Sequence, residues 1–149
     1  MATSTSVSRS RARVPRTRLV RAGVAATLAA LVAVLAARSL VGALYAVDPT
    51  LDPFRWAPII GSTVASGVGA TVVYALLDRY TERPVRNFLA VAGAVLLAMF
   101  VPLVTVAPAL GVDPTGQILL GVLHVVVAAT VVAVLLRLAV PGATGSEYS

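Results

Sequence analysis

Four long apolar runs, each about as long as a bilayer is thick, constrain this 149-residue chain more than any motif in it. Val20–Ala37 holds one charge, Arg21, while Ala57–Leu77, Phe88–Val112 and Ile118–Leu136 hold none. About 20 apolar residues in a helix cross roughly 30 Å of hydrocarbon. No water reaches the backbone there, so each segment must satisfy its own N–H and C=O groups. Runs that are continuous, not alternating, therefore select helices over barrel strands. Charged residues make up 12% of the chain, about half the usual share of a soluble domain. The expected fold is all-α, a four-helix transmembrane bundle. Its helices are expected at about 22–46, 57–78, 87–108 and 115–138. A basic, disordered tail at 1–21 precedes them, and a short tail at 139–149 follows.

The arginines suggest an orientation. All twelve basic residues are Arg. Arg9, Arg11, Arg13, Arg16, Arg18 and Arg21 lie in the N-terminal tail, Arg79, Arg83 and Arg86 between the second and third runs, and Arg137 at the end of the fourth. If the helices alternate in direction, these ten share one side, and Arg55 faces Asp48, Asp52 and Asp113 on the other. The positive-inside rule then makes this a multi-pass cell-membrane protein with both termini cytoplasmic, N-in/C-in. Tyr45, Phe54 and Trp56 fall at the outer interface and Tyr80 and Phe88 at the inner one, where amphipathic rings prefer to sit. The acid-free tail also has the composition of a transit peptide or a signal n-region. However, LYA and LAA put Leu where a cleavage site needs a small residue. The tail is read as a polybasic segment on anionic inner-leaflet lipids, at about 1 kcal/mol per Arg, and not as a nucleic-acid-binding arm.

The letters VDPT occur at Val47–Thr50 and again at Val112–Thr115. Asp is a favoured N-cap and Pro is favoured at the first helical position. Asp113 is therefore expected to cap the fourth helix, and Asp48 and Asp52 to start short turns before the second. ATVV also recurs, at Ala70–Val73 and Ala129–Val132, in segments that agree at six of eight letters. The two repeats together are consistent with two tandem helical hairpins in one orientation. Chance matching among Ala, Val and Leu is the competing explanation.

Helix packing should follow small residues. Ala57, Gly61, Ala65 and Gly69 recur every fourth residue on the second helix, flanked by Ser62 and Ser66. Such a stripe lets backbones approach, and hydroxyls can bond across helices. The second helix is expected to be the most buried, or to form a dimer face. Ala90, Ala94 and Ala98 repeat the spacing on the third helix. There Pro102 removes a donor to the Ala98 carbonyl, and a kink is expected.

Candidate chemistry is sparse. His124, the only histidine, lies about 13 Å below the outer end of the fourth helix at 1.5 Å per residue. It shares a face with Gln117, Gly121 and Ala128. A midplane ionisable group is a functional hypothesis by default, and histidine chemistry suits proton coupling. The alternative is a neutral His bonded to a Ser or a backbone carbonyl of a neighbouring helix. Arg38 interrupts the first run; it can snorkel to the headgroups or face the bundle. With no Cys and one His, haem and metal sites are poorly supported and no cofactor is expected. No enzyme constellation is present, and no membrane-embedded carboxylate.

LHVVVAATVVAVLLR at 123–137 resembles the last span of an uncharacterised family of small prokaryotic four-span integral membrane proteins. The resemblance implies a basic N-terminus, four spans and a His-containing, Ala-rich final helix, and it implies no activity. The expected function is a structural or accessory helix-packing role, without enzymatic activity, as a homo-oligomer or with a membrane-protein partner. The alternative is a small oligomeric transporter or channel using His124, Gln117 and Arg38.

Overall fold

The computed structural model describes residues 13–45 and 55–140, and it is a bundle of four helices. Helix α1 spans Arg16–Leu44, α2 Trp56–Tyr80, α3 Pro84–Thr105 and α4 Pro114–Ala139; a 3-10 turn at Ala107–Leu110 lies between α3 and α4. All four are long and apolar enough to cross a membrane. Asp48, Asp52 and the first VDPT copy lie outside the described residues.

The helix boundaries follow local chemistry. Helix α1 begins at Arg16, six residues earlier than expected, so the end of the basic tail is helical. Arg is a good helix former, and its long stem lets the charge reach water from a helix that extends past the hydrocarbon. Its 29 residues span about 43 Å. Helix α3 starts with Pro84 at its first turn and ends at Thr105, three residues sooner than expected. Pro102 sits inside α3 and Pro108 inside the 3-10 turn. Each lacks the N–H that would continue the α-helical ladder. Gly111, at φ 79°, then turns the chain toward α4 in the left-handed region that favours glycine. The Asp113 carboxylate accepts from the Gly116 N–H at 2.8 Å with Pro114 in the first turn, as the N-cap reading requires.

The helices are arranged so that α1 packs mainly on α4 and α2, while α3 packs on α4 and α2. Two buried clusters fill the interior. One contains Val34, Ile59, Leu103, Ala107, Val112, Leu119, Leu120 and Leu123, at the end that carries the α3–α4 connection. The other contains Ala22, Ala26, Tyr74, Phe88, Leu135 and Ala139, at the end where α1 begins and α4 stops. In the second cluster the Tyr74 and Phe88 rings meet edge to face, with centroids 5.4 Å apart. That arrangement suits the ring quadrupoles.

Helix α2 is not the most buried helix. Within their most apolar stretches α4 and α1 bury 33% and 28% of residues, α2 22% and α3 11%. The α1–α4 contact is the most extensive in the bundle, α3 packs less on both of its neighbours, and the Gly61–Gly69 side of α2 is exposed.

Candidate functional site

Polar side chains inside the spans bond mostly to their own helix. Thr27, Thr63, Thr71 and Thr130 each donate to the carbonyl four residues earlier, at 2.7–2.9 Å. This satisfies the hydroxyl where water is absent. His124 does the same: its Nδ1 lies 2.7 Å from the Leu120 carbonyl. A carbonyl only accepts, so Nδ1 carries the proton and the partner lies on α4 itself, not on a neighbouring helix. The ring is half-buried.

The three candidate pathway residues each have a contact of their own. Gln117 donates from Nε2 to the Val112 carbonyl at 3.2 Å, bracing the turn into α4. The Arg38 guanidinium stacks over the Trp56 ring, 3.8 Å from its centroid, and joins α1 to the start of α2. Gly121, on the His124 side of α4, faces α3. A Cβ there would stand 3.2 Å from Phe100 and 3.4 Å from Leu103.

The stripe on α2 turns outward. Ala57, Gly61, Ala65 and Gly69 are exposed, as are Ser62 and Ser66. A Cβ added at Gly61 or Gly69 would meet nothing within 4 Å. Ser62 bonds back to the Ile59 carbonyl at 3.1 Å. The inward side of α2 carries Ile59, Thr63, Gly67 and Tyr74 instead.

Inside the bundle α1 meets α2 through a reciprocal contact that the sequence reading missed. Gly23 of α1 lies against Thr71 of α2, and Thr27 of α1 lies against Gly67 of α2. A Cβ on Gly67 would sit 2.9 Å from the Thr27 Cβ, and one on Gly23 would sit 3.1 Å from the Thr71 Cβ. Each Thr donates its hydroxyl to the glycine of its own helix and presses its side chain onto the glycine of the other. The signal was there: Gly23–Thr27 reads GVAAT and Gly67–Thr71 reads GVGAT. In an antiparallel pair such a repeat is self-complementary.

The ATVV segments do not occupy equivalent places. Thr63, Gly67 and Tyr74 are buried, whereas Val122, Val126 and Ala133, their counterparts in the ATVV match, are exposed or half-buried. Val131 and Leu135 are buried, and their counterparts Val72 and Leu76 are exposed. The shared letters therefore present different faces to the interior.

Charge separates to the two ends. Arg13, Arg16, Arg18, Arg21, Arg79, Arg83, Arg86 and Arg137 lie at the end where α1 begins and α4 stops; Arg38 and Arg55 lie toward the other. Hydrogen bonds join elements at the Arg-rich end. The Val14 N–H donates to Asp78 Oδ2 at 3.0 Å, and Arg18 Nε donates to the Leu138 carbonyl at 2.8 Å. The second places a cation at the negative end of the α4 dipole.

Comparison with known proteins agrees with this architecture. Residues 9–140 match the model of a family of unknown function, DUF6069, and the chain belongs to that family. No curated protein and no solved structure matches. The family and the four helices together point to an integral, multi-pass membrane protein.

Proposed function

We propose that this DUF6069 member is a non-enzymatic accessory protein of the membrane that works by helix–helix contact through the outer face of α2. One observation carries the reading. The bundle packs α1 against the Gly67 side of α2 and leaves the Gly61–Gly69 side open, where a Cβ built on either glycine would meet nothing within 4 Å. Lipid tails are as apolar as Leu, so close packing of small residues supplies much of the attraction between helices in a bilayer. The partner is a second copy or a different spanning helix. A transport path through His124, Gln117 and Arg38 has no comparable observation behind it.

The same reading places both termini in the cytoplasm. Eight described arginines at the terminal end face two toward the other, and cationic loops stay on the inner side. The chain has no cysteine, so single cysteines report sidedness cleanly. Glu82→Cys should react with an impermeant maleimide only after the cells are opened, and Leu110→Cys in intact cells. The reverse pattern overturns the orientation.

The association is tested by particle mass in mild detergent. The wild type should run with a copy of itself or a partner, and Gly61→Leu with Gly69→Leu should run alone while melting at the same temperature. A wild-type monomer, or a double variant that keeps its company, overturns the proposal.

A further inference from the structure

A groove of about 320 Å³ opens between the start of α1 and the end of α2, lined by Arg13, Arg16, Leu19, Ala75, Leu76, Asp78 and Arg79. Its rim carries three guanidiniums and one carboxylate, and its floor is apolar. The α1–α2 register explains why it is there. With Gly23 against Thr71 and Thr27 against Gly67, an antiparallel pair brings Leu19 opposite Ala75 and Arg16 opposite Asp78. The helices touch closely at the glycines. Toward the terminal end, Leu19 and the arginine stems replace the glycines along this seam.

The rim is held in place. The Val14 N–H bonds Asp78 Oδ2 at 3.0 Å, which fastens the residues before α1 over the end of α2. Arg13 and Arg16 flank that tie. Arg79 lies near the Tyr80 ring, with its guanidinium carbon 5.7 Å from the centroid. No side chain caps the first turn of α1, and no acidic residue sits in it.

We infer that this groove binds one anionic phospholipid, its phosphate among Arg13, Arg16 and Arg79 and an acyl chain along Leu19, Ala75 and Leu76. Basic pockets between helices at the headgroup level suit such lipids. The floor distinguishes this ligand from a free phosphate, since an apolar surface beside the cations has no use for a water-soluble anion. The inference rests on the spanning reading of the four helices, and not on which side the termini face or on the association through α2.

The test is native mass spectrometry of the full chain in mild detergent, titrated with phosphatidylglycerol or phosphatidylcholine. Phosphatidylglycerol should be retained preferentially. Arg13→Gln, Arg16→Gln and Arg79→Gln should each weaken its retention about fivefold, at roughly 1 kcal/mol per Arg. Ala75→Trp, which fills the floor, should weaken it without changing the charge. The three arginines are exposed, so the single variants should fold. Arg83→Gln and Arg86→Gln, each of which alone lowers the charge by the same amount elsewhere at this end, should leave retention intact. Equal retention of both lipids overturns the inference. So does equal weakening by the Arg83 and Arg86 changes, which would make net charge the cause. Full competition by glycerol 3-phosphate would make the ligand a free phosphate and also overturn it. Resistance to alkaline extraction from membranes tests the spanning reading separately. A chain that resists extraction and shows no lipid preference loses only the groove.

Discussion

Gly67 and Gly69 stand two residues apart on α2 and meet opposite environments. A side chain at Gly67 would run into the Thr27 Cβ at 2.9 Å; one at Gly69 would meet nothing within 4 Å. Both faces carry glycine and hydroxyl residues, Gly67 with Thr63 on one and Gly69 with Ser62 and Ser66 on the other, and only one of them builds the bundle. Small residues permit close approach without choosing the neighbour. The partner face makes the choice, and on α1 that face is Gly23 and Thr27, whose spacing matches Gly67 and Thr71 in reverse.

The contrast can be broken most forcefully from its buried side. Phe88→Ala removes the ring that stands edge-on to Tyr74 and leaves a cavity in the second cluster. It should cost about 3 kcal/mol, read as reversible unfolding in a detergent titration. Gly67→Ala should cost about 1–3 kcal/mol, because the Thr27 Cβ, whose position the backbone fixes, cannot yield without moving α1. Thr27→Gly in that background removes the obstructing atoms and should recover a large part of the loss, a coupling of about 1 kcal/mol or more in a double-mutant cycle. A loss at Gly67 that Thr27→Gly does not relieve would mean the reciprocal contact is not what excludes the methyl.

Smaller effects sharpen the comparison at its edges. Trp56→Leu removes the ring under Arg38 at the start of α2 and should cost about 0.5–1 kcal/mol. Gly69→Leu should change stability by no more than about 0.5 kcal/mol, while removing association if the outer face is used. A large drop in stability from Gly69→Leu would mean that the outer face is already occupied within one chain.

Much of the architecture was legible in the sequence. The four helices, the Asp113 cap and the gathering of arginines at one end follow from run length, from Asp-Pro chemistry and from alternation of direction. The start of α1 was placed too late because Arg16, Arg18 and Arg21 were counted as tail; charge marks where a helix meets water and not where it begins. The candidate site was less legible. Regular spacing drew attention to Gly61, Ala65 and Gly69, while the glycine that packs, Gly67, sits in a different repeat, GVGAT, whose match with GVAAT becomes meaningful only when two helices run antiparallel.

By itself, then, the sequence determined what must hold wherever each segment is placed: the number of long apolar segments, their helical type and the places where the chain can turn. These depend on a segment's own transfer into lipid and its own backbone bonds. Which side of each helix faces inward was decided only by the tertiary structure. In a chain of Ala, Val, Leu and Gly nearly every face is apolar enough for either protein or lipid. Hydrophobicity therefore cannot rank the faces, and shape, as in the paired glycines and threonines of α1 and α2, selects among them.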